Sequence, residues 1–212
     1  MSRQLSMFDD GSDGDDDPRL AAIPDRRVND PGVLGHAVFF AYAAGHEGAG
    51  AIVETARSVL RDLGASSKPM DAERLHVSLF EVANYVDVFP RADIAAALRA
   101  ADRLTPAAFD VVFDRIAKFG DGRAFVFKAG PAQPLAALQA GRDALGRALA
   151  DGGRRTTLAK SALHMTFAYG DHPVDETPLS EPLRWRAERL LLIDSHVRGH
   201  RHEILGEWPL RG

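Results

Sequence analysis

The chain of 212 residues contains no cysteine, which excludes disulfide bonds, thiolate metal ligands and a cysteine nucleophile. It also lacks a long hydrophobic stretch. The longest nearly unbroken apolar run, residues 37–44, is about eight residues long, whereas a membrane-spanning helix needs ~20. The amino terminus has no basic segment followed by an apolar one, so no secretory signal is predicted. We therefore expect a cytoplasmic protein with no membrane partner.

An excess of positive charge is missing as well. The formal net charge is −4, and residues 1–20 alone contribute −4 through six Asp and two Arg. The rest of the chain then carries 26 − 2 = 24 basic and 30 − 6 = 24 acidic residues. Proteins that bind long nucleic acids usually cluster an excess of Lys and Arg, so that function is not predicted. A small phosphate ester or a nucleic-acid end remains a possible ligand.

The first thirty residues differ in composition from the rest. Residues 9–18 read DDGSDGDDDP, a self-repelling stretch with no large apolar side chain to bury. We predict a disordered acidic tail over residues 1–30 and one domain over residues 31–212.

Hydrophobic periodicity within the domain indicates a mixture of helices and strands. The predicted helices span residues 51–63, 94–104 and 135–149, and the predicted strands span residues 36–42, 109–119, 123–129, 183–197 and 203–208. The strands over 109–119 and 123–129 form a hairpin across a Gly-Asp-Gly turn. Because helices and strands do not alternate regularly, the pattern favours an α+β fold over a doubly wound sheet.

The most informative pattern occurs twice. Residues 75–79 (LHVSL) and 163–167 (LHMTF) both run apolar, His, apolar, hydroxyl, apolar. About 0.05 such matches are expected by chance in a chain of this composition. In a strand, His76 shares a face with Ser78, and His164 shares one with Thr166. The alternative is that both segments are ordinary core strands whose imidazoles are hydrogen-bonded in the interior. The repetition of the pattern favours an internal duplication instead.

Two imidazoles that meet across a cleft can act on a single phosphoryl group. A histidine with a pKa near 6.5 is able to give or take a proton at neutral pH. The two hydroxyls would donate hydrogen bonds to phosphoryl oxygens. This arrangement supplies acid–base chemistry without requiring a metal or another cofactor.

The paired His-x-[Ser/Thr]-x motifs resemble those of the 2H phosphoesterase superfamily, in particular the 2′-5′ RNA ligase-like RNA 2′,3′-cyclic phosphodiesterases. The resemblance implies a bilobal, pseudo-twofold fold with two sheets flanking a central cleft. It implies that His76 is the general acid, that His164 is the general base, and that Ser78 and Thr166 bind phosphate oxygens. The implied activity is hydrolysis of 2′,3′-cyclic phosphate ends of RNA or of cyclic nucleotides. Reversible 2′-5′ ligation stays open, because it would use the same residues.

Two positions depart from the family pattern. Leu163 stands where members often have Pro before the second histidine, and Tyr169 stands where they often have Arg. We include Tyr169 among the substrate-binding candidates because of its position. Arg154, Arg155 or Lys160 could supply the lost positive charge, although a solvated loop is the simpler interpretation of these three.

Two further features suggest other functions. His196, His200 and His202 lie close together in sequence and could bind a metal. Because no acidic residue completes a recognisable spacing, we predict no metal site. The alternative for His202 is a place in the lining of the cleft.

The second feature is the peptide at residues 4–8 (QLSMF), which resembles those that dock on the DNA polymerase sliding clamp. The alternative function is therefore a noncatalytic adaptor that binds a nucleotide or phosphate and attaches to the clamp through Gln4, Leu5, Met7 and Phe8.

Overall fold

The computed structural model describes residues 17–21, 23, 35–131, 135–152, 162–197 and 201–212. Within these residues it contains three α-helices, α1 (His46–Asp62), α2 (Arg91–Asp102) and α3 (Ala136–Asp151). It contains eight strands, β1 (His36–Ala43), β2 (Val77–Tyr85), β3 (Phe109–Phe119), β4 (Ala124–Lys128), β5 (His164–Tyr169), β6 (Thr177–Ala187), β7 (Arg189–His196) and β8 (Arg201–Pro209). No helix among the described residues is both long and apolar enough to span a membrane.

The strands form one antiparallel sheet in the order β6-β3-β4-β5-β2-β1-β7-β8. The sheet consists of two four-stranded halves, which meet where β5 lies beside β2. Only one pair of residues, Val77 and Met165, is in register between them. The two sheets predicted from the sequence are therefore continuous through this single pair.

The two halves share a strand–helix–strand unit. In one half β1 is followed by α1 and β2, and in the other β4 is followed by α3 and β5. In both units the last strand carries a His-x-[Ser/Thr] motif at its beginning. This correspondence supports the predicted duplication, and the mixed, largely antiparallel architecture confirms the α+β fold class.

The helices and one face of the sheet enclose a single hydrophobic core. Helix α1 contributes Ile52, Ala56 and Leu60, which recur at the spacing of one helical face. The opposite face of the sheet is less covered. It carries a small apolar cluster around Ala41 and Leu191, with Phe39 packed against it.

Part of the predicted acidic tail packs against the domain. Residues Pro18–Leu20 form a 3₁₀ turn, and Leu20 is completely buried. Arg19 pairs with Asp102 at the end of α2 at 2.8 Å, and Arg91 donates a hydrogen bond to the carbonyl of Leu20 at 2.8 Å. These residues belong to the stretch 1–30 that was predicted as a tail, and they have a defined conformation because Leu20 occupies an apolar site that its own sequence neighbourhood does not reveal.

The predicted strand over residues 183–197 is two strands. The chain leaves β6 at Ala187 and enters β7 at Arg189, and these strands belong to different halves of the sheet. Glu188 lies between them and accepts a hydrogen bond from the backbone N–H of Gly45 at 2.7 Å. Apolar alternation ends at Ala187 and an unbroken apolar run begins at Leu190, but no glycine or proline marks a turn between the two strands.

We expect Phe127→Ala to destabilise the fold strongly. The ring of Phe127 is fully buried in β4 and stacks on Phe167 of β5 with 4.1 Å between centroids. Removing it leaves a cavity and should lower the free energy of unfolding by about 3–5 kcal/mol. Urea denaturation measures the change. The control is Val86→Ala at an exposed position, for which a change within about 0.5 kcal/mol is expected.

Candidate active site

The single pair of residues that joins the two halves also positions both motifs. Val77 and Met165 are completely buried against the helices. Their sequence neighbours therefore point to the opposite, less covered face of the sheet. Antiparallel geometry places His76 opposite Thr166 and Ser78 opposite His164. The structure thus brings all four predicted residues to one place on one face.

The two imidazoles are held in the same way. Nδ1 of His76 donates to the backbone carbonyl of Arg74 at 2.7 Å, and Nδ1 of His164 donates to that of Ala162 at 2.8 Å. A carbonyl can only accept, so Nδ1 carries the proton in each ring. Nε2 is then the nitrogen that can accept or release a proton in both histidines.

An aromatic ring supports each histidine. Phe39 of β1 lies 5.1 Å from the His76 ring, and Phe119 of β3 lies 4.2 Å from the His164 ring, measured between centroids. These contacts limit the rotation of the two imidazoles and keep each Nε2 atom in a fixed direction. The sequence did not identify either phenylalanine, because each comes from a strand far from the motif that it supports.

A third imidazole, His202 of β8, completes the group. Its ring meets that of His76 edge-on with 5.3 Å between centroids, and it also contacts Phe39. Its Nδ1 is buried and makes no hydrogen bond. Burial lowers the pKa of His202 to about 3, and the charges of His76 and Arg74 act in the same direction. His202 is therefore neutral at physiological pH in the free protein.

Burial also lowers the pKa of His76, to about 4. The hydrogen bond to the Arg74 carbonyl opposes this shift, while the positive charges of Arg74 and His164 add to it. Arg74 is the cation that acts on both His76 and His202, and its Nε is buried without a hydrogen-bond partner.

More positive charge lies beside His164. Lys128 of β4 pairs in register with His164, and Arg115 of β3 pairs with Lys128, so the three side chains share a face. Both cations are close to the carboxylate of Glu176, Lys128 at 2.6 Å and Arg115 at 3.5 Å. Arg154, Arg155 and Lys160, the cations considered from the sequence, lie outside the described residues.

Tyr169 also lies on the face of the motifs. Thr166 pairs with Val126, and Tyr169 pairs with Ala124, two residues away on β4, although a bulge interrupts the register between them. Tyr169 is 54% exposed. Its side chain is therefore accessible to a ligand on this face.

The three histidines considered for a metal do not converge among the described residues. His202 pairs with Ser195, while its neighbour Arg201 pairs with His196, so His196 and His202 point to opposite faces of the sheet. His200 lies outside the described residues.

We expect Arg74→Gln to raise the pKa of both His76 and His202. Removing the positive charge makes the protonated imidazole less unfavourable, so each titration midpoint should move upward from about 4 and about 3. Histidine Cε1–H chemical shifts, followed by NMR over pH, measure both midpoints. Arg57→Gln on the exposed side of α1 is the charge-matched control and should leave them in place. Unchanged midpoints in Arg74→Gln would show that its guanidinium is not near the two rings.

Comparisons with known proteins identify the family and the fold. The model of the 2′-5′ RNA ligase superfamily matches residues 46–199. Comparison with curated proteins finds no match. Among solved structures, E. coli LigT complexed with phosphate is similar with a TM-score of 0.59 and 20% identity over 84% of this chain and 99% of LigT. A Thermus thermophilus protein is similar with a TM-score of 0.60 and 22% identity over 83% of this chain and 98% of that one.

The PDE domain of MHV ns2 is also similar, with a TM-score of 0.51 and 18% identity over 75% of this chain and 98% of that domain. At these identities the structural matches establish a shared fold. The family match covers most of the chain and includes both His-x-[Ser/Thr] motifs. The chain therefore belongs to the 2′-5′ RNA ligase superfamily, the 2H phosphoesterases.

Proposed function

We propose that the protein is a phosphodiesterase that opens 2′,3′-cyclic phosphates at RNA ends or in cyclic nucleotides. The observation that carries the proposal is the matched pair of imidazoles. Each histidine has its Nδ1 fixed by a backbone carbonyl two residues earlier. His76 immediately precedes β2 and His164 is the first residue of β5, where the two halves meet. Two proton-transfer groups on one face are what ring opening requires.

In the proposed step one histidine accepts a proton from water and the other donates a proton to the departing oxygen. His164 takes a proton from water as the oxygen attacks phosphorus, and a bond between phosphorus and a ribose oxygen breaks. His76 gives its proton to that departing oxygen. Ser78 and Thr166 donate hydrogen bonds to the non-bridging oxygens, where negative charge builds up. The product is a phosphomonoester with a free neighbouring hydroxyl.

His76 must be protonated to act as the acid, yet it is neutral in the free protein at pH 7. An anionic phosphate next to the imidazole favours the charged form and raises its pKa. Substrate binding is therefore coupled to proton uptake by His76. This coupling places the proton where it is needed only when a phosphate is present.

The cations beside the histidines fit a phosphate ligand. Arg74 lies near His76, and Lys128 and Arg115 lie beside His164, so each motif has its own source of positive charge. We propose that Arg74, Lys128 and Arg115 supply the positive charge that is lost where Tyr169 stands in place of the arginine of the family pattern. The carboxylate of Glu176 partly neutralises the positive charges of Lys128 and Arg115.

Ligands named for related structures support this class of substrate. Solved structures of LigT are described as complexes with phosphate, ATP, 3′-AMP and NADP⁺. The similar domain of MHV ns2 is described as a PDE domain. In 2′-5′ ligation the 5′-hydroxyl of a second RNA end would take the place of water as the nucleophile. His164 would then accept the proton of that hydroxyl, and His76 would again protonate the departing ribose oxygen.

Substitution of either motif histidine should abolish most of the activity. We expect His76→Ala and His164→Ala each to lower kcat/KM for a 2′,3′-cyclic nucleotide by about a hundredfold or more. In the parent protein kcat/KM should depend on pH along a bell-shaped curve, since one group must be protonated and the other not. The measurement is ring opening followed by phosphorus NMR. His46→Ala, at the exposed start of α1, is the matched control and should retain full activity.

Full activity in either motif variant would refute the acid–base assignment. Binding of a cyclic nucleotide without turnover in the parent protein would instead favour the noncatalytic adaptor. The proposed clamp peptide, residues 4–8, lies outside the described residues and is tested separately. A chain lacking residues 2–16 keeps the buried Leu20 and should keep its turnover.

Substitutions at Lys128 and Glu176 should change substrate affinity in opposite directions. Lys128→Gln removes a cation beside His164 and should raise KM for the anionic substrate severalfold. Glu176→Gln frees the ammonium from its carboxylate and should lower KM. Steady-state kinetics at low ionic strength measures both, because screening by salt weakens such effects. Parallel changes in the two variants would contradict a direct electrostatic role.

A further inference from the structure

A second cluster of ionisable side chains lies away from the candidate active site. His36, Asp194 and His196 are the buried charged or polar residues among those described, with exposed fractions of 4%, 0% and 8%. His36 pairs across the sheet with both Tyr85 and His196, and Asp194 pairs with Val38. One nitrogen or carboxylate oxygen from each of the three lies within 4.8 Å of the other two.

This cluster takes no part in the proposed reaction. His36 alternates with Val38 and Phe40 on the face of β1 that packs against the helices. The motif histidines point to the opposite face. Tyr85 is the last residue of β2, while His76 immediately precedes its first residue, so the cluster lies at the far end of that strand.

The contacts within the cluster leave one nitrogen unused. Nδ1 of His36 lies 3.1 Å from Oδ1 of Asp194, and the Tyr85 hydroxyl donates to Oδ2 at 2.5 Å. Nε2 of His196 is buried and makes no hydrogen bond. Oε1 of Glu203 is 3.4 Å from this nitrogen, without the geometry of a hydrogen bond. A buried polar atom without a partner is costly, and a ligand that satisfies it would be stabilising.

We propose that His36, Asp194 and His196 bind a divalent transition-metal ion, with zinc as the best match. Imidazole nitrogens and a carboxylate oxygen are zinc ligands, and bonds of about 2.0–2.1 Å place neighbouring donors a little over 3 Å apart. The separation of 3.1 Å between His36 and Asp194 already fits this geometry. Binding displaces the proton that lies between these two atoms.

The surroundings provide the other parts that a metal site needs. The Tyr85 hydroxyl holds the second carboxylate oxygen, as outer-shell groups commonly do at zinc sites. Glu203 is close enough to His196 to serve as a fourth ligand. Glu203 is 28% exposed and lies on β8, an edge strand, so an ion can enter from solvent on that side.

The test is zinc binding to the full chain after treatment with EDTA. To exclude binding at the candidate active site, the background is the His76→Ala/His164→Ala/His202→Gln variant. We expect one zinc ion per chain by calorimetry, together with a higher melting temperature when zinc is present. His36→Gln and His196→Gln should each abolish binding or weaken it at least tenfold. Tyr85→Phe, which removes only the outer hydrogen bond, should weaken it by about tenfold. His172→Gln, outside the cluster, is the control.

Cobalt provides a readout that does not depend on the stability of the variants. Co²⁺ added to the same background should give the visible absorption bands of tetrahedral coordination, and zinc should bleach them. Failure of the background chain to bind either ion would overturn the proposal and leave a purely hydrogen-bonded cluster. Unchanged zinc affinity in folded His36→Gln and His196→Gln would show adventitious binding only. Neither result bears on the phosphodiesterase activity, which is measured separately.

Discussion

The backbone pairing of Val77 with Met165 is the interaction on which the active-site geometry depends. It is the single register pair between the two halves of the sheet. Both side chains are buried in the common core, so the residues on either side of them face the other way. A shift of either strand by one residue would turn the histidine of that strand into the core. The burial of two apolar side chains thus fixes the direction of four polar ones.

Hydrogen bonding adds a second constraint to the one that pairing imposes. Each motif histidine uses Nδ1 to bind a carbonyl of the segment that leads into its strand. The rings therefore present the same nitrogen to the same face, although they come from halves of different sequence. Local charge then makes the two sites unequal. Arg74 acts on His76, while Lys128 and Arg115 accompany His164 and share the carboxylate of Glu176. Equivalent geometry with unequal surroundings suits a reaction that needs one acid and one base.

Periodicity in the sequence was sufficient to predict most of the fold. The strand over residues 109–119 was predicted with its observed bounds, since its alternation ends at a glycine-rich turn, and Gly120 and Gly122 adopt positive φ there. Helix α1 begins earlier than predicted, because glycines near its start obscure the apolar spacing. The division at Glu188 was missed because local alternation carries no information about which half of the sheet a strand joins.

The site was predictable only where a motif repeats. His76, Ser78, His164 and Thr166 were identified from their duplicated spacing. Phe39, Phe119 and Lys128 were not assigned to the site, because each lies on a strand that reaches it only through tertiary pairing. The buried cluster of His36, Asp194 and His196 escaped prediction for the same reason, since 158 residues separate His36 from Asp194.

The crossing at Glu188 has a consequence for biosynthesis. The half of the sheet that contains His164 is built from β3 to β6, a continuous segment from Phe109 to Ala187. The half that contains His76 combines β1 and β2 with β7 and β8, so it lacks two of its strands until the chain has been synthesised to Pro209. The half that contains His164 can therefore form first as the chain emerges from the ribosome, and the half that contains His76 is completed only once β8 has been synthesised.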